Sequence, residues 1–202
     1  VPALVIPDKS KHLNIPLIES RVPKPEELVV ISQPVLNATI RIGEALKDCP
    51  EKWAIGGDAG EILAGVNVHP DHFTILTTTA GSEEVSKRLK TFQIEGPKIV
   101  ERQLGRNAEI GLTPYPVSVK SFASQFRVDG ERVDVHGDLQ IKVGDWDWGD
   151  PLDFEPEYVY VVSVKVPVVP LELKSELYMG LGWTDRVKKI NQAMARRHHK
   201  IV

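Results

Sequence analysis

The chain contains one cysteine, Cys49, in 202 residues. No internal disulfide can form, which fits a reducing compartment and predicts a cytoplasmic protein. Long apolar runs are also missing. The most apolar stretch, residues 159–169, is broken by Lys165 and Pro167 and is too short to span a bilayer, so no membrane partner is expected. Charge of one sign is not in excess: 25 Lys and Arg against 28 Asp and Glu give a formal net charge of −3, and nucleic acid is not implied by charge. The first residues, VPALVIPDKSKHLNIP, lack the basic start and unbroken apolar core of a secretory leader. The lysine-threonine phosphate loop and the G-x-S-x-G elbow are absent, so those two enzyme classes lack their motifs.

What is present reads as an ordinary globular protein, 42% apolar and 26% charged. The length suits one domain over 1–202, divided into an extended Pro-rich arm (1–31), a core (32–143), an acidic aromatic loop (144–157), and a strand with C-terminal helices (158–202). The arm carries Pro2, Pro7, Pro16, Pro23 and Pro25, each of which resists regular structure. Ser32 precedes a helical stripe of Val35, Leu36, Ala38, Ile42, Ala45 and Leu46 that Pro50 ends. A strand is expected over 52–55, a short helix over 58–64, a strand over 72–77, and a helix capped by Ser82 running to about Phe92. Residues 99–104 read as strand or helix, and 113–116 as a turn. FRVDGERVDV, residues 126–135, predicts a hairpin through Asp129-Gly130. A strand over 158–165 and helices over 171–181 and 185–197 complete the pattern. Strands and helices interleave, predicting an α/β (α+β) fold with a small mixed sheet and helices packed mainly on one face.

The informative stretch is WAIGGDAGEILAGVNVHPDHFTIL, residues 53–76. A strand meets Gly56-Gly57, a short helix and Gly65, and a second strand follows. Without a Cβ, such glycines allow a tight turn and let phosphate approach backbone N–H groups at a helix start. A plain strand-to-helix turn needing positive φ has the same spacing. With VDV at 133–135 and VPVVPLELKSELYMGLGWTDR at 166–186, the stretch resembles the nucleotidyltransferase fold of the DNA polymerase beta superfamily, closest to its small uncharacterised or toxin-like branch.

That resemblance implies nucleotide binding at Gly56, Gly57 and Gly65, a nucleoside triphosphate as partner, and catalytic metal held by an Asp-hydrophobic-Asp strand plus a third Asp. Counted along this chain, the first two carboxylates fall at His72 and Thr74, and only Asp134 remains. The family's Arg and Thr fall at Val68 and Pro70, and its later Lys and Arg at Leu177 and Gly182, while Asp185 is kept. Strand parity favours this register: Phe73 and Ile75 share the core face, while His72 and Thr74 share the other, as does Asp134 beside Val133 and Val135. The candidate catalytic positions are therefore Asp134, His72 and Thr74, with Asp134 and His72 the candidate metal ligands.

An imidazole, a hydroxyl and one carboxylate make a poor Mg²⁺ cage, whereas Mn²⁺ or Zn²⁺ accepts imidazole nitrogen. Asp71, His69 and Glu61 are near enough in sequence to add ligands. The plain alternatives are a half-exposed strand-end histidine, an exposed strand carboxylate past a turn, and a threonine that simply favours strand. Three functions follow: a nucleotidyltransferase-like pseudoenzyme with weakened or lost metal-dependent transfer that still binds nucleotide; an active enzyme with an altered Mn/Zn-type site; or a non-catalytic partner of another protein or of a second copy, using the arm and Trp146 and Trp148 as contacts. Asp145, Asp147, Asp150 and Asp153 read as a solvated acidic loop rather than a calcium loop. The basic tail 195–200 complements a helix dipole, and Cys49 reads as an inert thiol.

Overall fold

A computed structural model describes residues 29–104 and 115–198; residues 1–28 of the expected arm, residues 113 and 114 of the expected turn, and His199 and Lys200 of the basic tail lie outside them. Helix α1 (Gln33–Ala45) leads into β1 (Trp53–Gly56), α2 (Gly57–Leu63), β2 (Phe73–Thr77) and α3 (Thr79–Arg88). A 3-10 turn at Lys90–Phe92 precedes β3 (Gln93–Leu104), β4 (Val117–Val128) and β5 (Glu131–Val143). The chain ends with β6 (Glu157–Val161), β7 (Val164–Val168), α4 (Leu171–Gly180) and α5 (Thr184–His198).

The strands form one seven-stranded mixed sheet in the order β3-β4-β5-β2-β1-β7-β6. β1 runs antiparallel to β2 and parallel to β7, and β2 runs parallel to β5. Two register pairs position the candidate site: Gly56 opposite Thr74, and Thr74 opposite Asp134. One sheet face is apolar, because Phe73, Ile75, Val133 and Val135 alternate inward and meet Val35, Ala38 and Ile42 of α1 and Val85 of α3. The helical spacing of the three α1 residues builds the facing stripe. A second cluster joins Ile62 of α2, Leu171 and Tyr178 of α4, and Val187 and Ile190 of α5.

The hairpin at 126–135 is a two-residue turn, with Asp129 and Gly130 at φ 49° and 91°, both in the left-handed region such a turn requires. Two expectations need correction. The helix expected to be capped by Ser82 begins four residues earlier, because the Thr78 hydroxyl accepts from Gly81 N at 2.9 Å and caps it, leaving Ser82 buried inside. The strand expected over 158–165 is a second hairpin, β6 to β7, turning at Val162 with φ 59°. A β-branched residue is costly there and gives no sequence signal of a turn. No helix among the described residues is long and apolar enough to cross a membrane.

Candidate functional site

Gly57 opens α2 with φ +53°, and a Cβ on it would lie 3.0 Å from Thr74 Oγ1. The Thr74 hydroxyl thus sits directly beneath the glycine turn, and a larger residue at 57 would meet both strain and contact. One helical turn on, a Cβ at Gly60 would stand 2.3 Å from the Ile55 carbonyl oxygen, so α2 packs on β1 only with glycine there. Gly65 has φ +89° with open space around its Cβ position; conformation rather than crowding requires glycine at this helix end.

Below the turn lies a buried ionic network that sequence reading missed. Lys174 of α4 donates from Nζ to the Gly57 carbonyl at 2.7 Å and lies 3.8 Å from Glu61 Oε1. The Tyr178 hydroxyl donates to the same Glu61 oxygen at 2.8 Å, and Arg186 reaches Glu61 Oε2 at 3.2 Å and also pairs with Asp58. Burial pushes Lys174 down to about 8, against the pull of Glu61 and Asp58. Burial likewise raises the Tyr178 hydroxyl, with the Glu61 charge adding to it. Glu61 is fully buried in this network and is not free to ligate a metal. The cations at the glycine turn come from Lys174 and Arg186, while Leu177 packs in the second apolar cluster and Gly182 turns the chain between α4 and α5. Asp185 points to solvent and pairs with Lys188 at 3.3 Å.

On the open sheet face, Thr74 and Asp134 are neighbours across parallel strands. Asp134 is buried, unlike the exposed strand carboxylate that its place past a turn suggested. Both its oxygens are engaged: Arg132 Nε donates to Oδ1 at 3.0 Å, Arg132 Nη2 to Oδ2 at 2.8 Å, and Gln125 Nε2 to Oδ1 at 2.8 Å. Burial opposes the charge on Asp134, but these hydrogen bonds and the guanidinium outweigh it and hold the carboxyl below its ordinary pKa. His72 stands in the bend just before β2, with Nδ1 2.5 Å from Asp71 Oδ1. His136, partly buried, places Nδ1 2.9 Å from Ser121 Oγ. Burial first, then the Arg102 charge, pushes its pKa down to about 4. Arg132, Asp134 and His136 share this face because they alternate along β5; period 2 in ERVDVHG carried the signal.

These residues do not fit a divalent metal. The one strand carboxylate is taken up by a guanidinium, Thr74 contributes no charge, and Asp71 is spent on His72. Among the described residues no group of three His, Cys, Asp or Glu side chains could hold a metal ion. His69 lines a different cavity, with Arg186 and Lys189. In the acidic loop, Asp153 pairs with Lys52 at 2.7 Å, Trp148 lies under Lys120 at 4.9 Å, and Trp146 is exposed.

No family model matches the chain, and no curated protein matches it. Among solved structures it is similar to a "putative nucleotidyltransferase" from Thermotoga maritima, at 22% identity and TM-score 0.63, over 83% of this chain and 96% of that one. The chain has the nucleotidyltransferase fold. A second nucleotidyltransferase-type match is the lincosamide antibiotic adenylyltransferase LnuA, at 12% identity and TM-score 0.45, over 81% of this chain and 98% of that one. In the nucleotidyltransferase fold of this chain, the glycine turn and the open face of β2 and β5 adjoin, and Arg132 occupies the carboxylate between them.

Proposed function

We propose that this nucleotidyltransferase-fold protein has lost, or retains only weakly, metal-dependent nucleotidyl transfer, while binding nucleotide at the Gly56-Gly57 turn. The observation that carries the reading is the two-pronged clamp of Arg132 on Asp134. Transfer by two metals needs carboxylates that hold both ions over the reacting phosphate. Here a fixed guanidinium already neutralises the single acid, and imidazole and hydroxyl replace the other two. Each lost point of electrostatic stabilisation costs about 3–4 kcal/mol of barrier, so the deficit spans several orders of magnitude. The altered-metal reading lacks a third ligand among the described residues. Support for nucleotide binding comes from Gly57, which at φ +53° turns the chain into the start of α2 directly against Thr74. A cytoplasmic location is part of this reading, supported by a single cysteine that cannot form an internal disulfide.

Incubation with radiolabelled nucleoside triphosphates and Mg²⁺ or Mn²⁺ is expected to give no label transfer to protein, RNA or small acceptors. ATP binding, followed by calorimetry, is expected to persist in EDTA. Metal-dependent turnover that Asp134→Asn abolishes would overturn the reading. A protein-interaction role is the second reading, favoured by Tyr158, Tyr160 and Val162, exposed along and just past the edge strand β6. Pull-downs with Tyr160→Lys against wild type test it: a partner lost in the variant supports that role, and an unchanged set of partners removes it.

A further inference from the structure

The two edges of the sheet are built differently. β3, at one edge, carries Glu95, Lys98, Glu101 and Arg102, and its pairing with β4 slips between Gln93 and Lys98, where Pro97 sits. Charge, proline and irregular pairing are devices that keep an edge strand from accepting another strand. β6, at the other edge, has none of them beyond Glu157, which Arg197 holds at 3.0 Å. Among the described residues no strand pairs with its outer side.

Pro167 fixes which way the β6 backbone points. β6 and β7 pair Tyr158 with Pro167, Val159 with Val166, and Tyr160 with Lys165. Proline has no N–H to exchange, so Tyr158 and Pro167 are a pair not hydrogen-bonded to each other, and alternation makes Tyr160 and Lys165 another. The N–H and C=O of Tyr158 and Tyr160 are thereby directed to the open side. Their side chains are 54% and 73% exposed, while Val159 and Val161 alternate into the main apolar cluster. Val162, at the hairpin tip, is 77% exposed with φ 59°. An apolar, β-branched residue in that conformation strains the turn and adds nothing to the core, which marks the tip as a contact.

We infer that β6 pairs antiparallel with β6 of a second copy, about a two-fold axis at Val159, joining the two sheets into one. The inference rests on the interaction reading above and names its partner. In this register Tyr158 lies opposite Tyr160 of the second copy, and Tyr160 opposite its Tyr158. Every outward N–H and C=O of the tyrosines finds a partner, and aromatic rings pair directly across the strands. Just past the strand, Val162 meets Pro156 of the second copy, apolar against apolar. The charges are compatible as well. Each Glu157 faces Val161, and the two Glu157 stand about 13 Å apart along the strands, beyond the screening length of roughly 8 Å. A shift by two residues sets a tyrosine against Pro156 or against the turn at Val162 and leaves outward groups unmatched, so one register is selected. This self-match of a strand with its own copy is what a two-fold contact requires. The pairing spans five residues, the small end of protein interfaces, so a dissociation constant on the order of micromolar is expected.

Sedimentation velocity of the whole protein, loaded from about 1 to about 300 µM, tests this. A monomer that becomes a dimer as concentration rises is expected. Tyr160→Pro deletes an outward N–H without removing a β6–β7 hydrogen bond and is expected to weaken the dimer at least about tenfold, whereas Tyr160→Phe stays within about threefold. Circular dichroism checks that each variant is folded. Val159→Cys tests the register independently, because it sets two thiols face to face on the axis, in the closer class of antiparallel pair. Mild oxidation is expected to give disulfide-linked dimers of that variant and none of the wild type, whose single cysteine is Cys49. A monomer at every concentration, a dimer indifferent to Tyr160→Pro, or no cross-link through residue 159 would overturn the proposal. A monomeric protein that loses a foreign partner on Tyr160→Lys keeps the interaction reading and removes the second copy. A monomer with no partner dependent on Tyr160 removes both.

Discussion

Arg132 and His136 lie two residues either side of Asp134 on β5, and together they set the charge of the open sheet face. His136 is the pH-sensitive member. Its folded pKa, about 4, is below the roughly 6.5 of an unfolded histidine, so the unfolded chain binds a proton first as pH falls. Stability is therefore full above about pH 6.5 and declines between there and about pH 4, by on the order of 2–3 kcal/mol. His136→Gln should flatten that limb in urea titrations across pH 4–7, since glutamine can still meet Ser121 but takes up no proton. Asp134 acts lower: its depressed pKa gives stability that is present above about pH 4 and is lost as pH falls through the folded value. Of these three residues, only Asp134 was visible as a site residue from its motif. Arg132 follows a turn and reads in sequence as a solvated charge; only the strand pairing shows that it closes on the acid.

The glycine turn is an element-scale device, and its support comes from two other helices. α2 is short, and Lys174 and Arg186 from α4 and α5 hold it through Gly57, Asp58 and Glu61. Lys174→Met leaves Glu61 with one fewer cation in the interior and should destabilise the protein by about 3 kcal/mol or more, read as a lowered urea midpoint. Gly60→Ala forces a methyl group against the Ile55 carbonyl; a loss of about 1–3 kcal/mol is expected from thermal melts, with β1 and α2 pushed apart. Neither dependence could be read from the sequence, because a buried lysine and a surface lysine look alike until the partner carboxylate is placed. The elements themselves were more legible. The α1 stripe, the Asp129-Gly130 hairpin and the alternation through β2 are local patterns. The β6–β7 turn at Val162 was not, since no glycine or asparagine marks it.

For the molecule as a whole, the sheet order brings β1, β2 and β5 side by side, and this places the glycine turn against Thr74 and Asp134. The apolar face opposite holds that arrangement through Phe73 of β2, which is fully buried in the main core cluster. Phe73→Ala should cost about 3–5 kcal/mol in chemical unfolding and release the β2–β5 pairing on which the site depends. The fold resemblance was carried by ordered glycine, valine and proline blocks, which report backbone geometry. The chemistry was harder to read, since it depends on which cation meets the surviving acid. That point is open to direct measurement: α-labelled nucleoside triphosphates with Mg²⁺ or Mn²⁺, comparing wild type with the variant combining His72→Asp, Thr74→Asp and Arg132→Ala. No detectable transfer by wild type, with metal binding gained in the combined variant, is the predicted result. Efficient metal-dependent transfer by wild type, lost in Asp134→Asn, would contradict it.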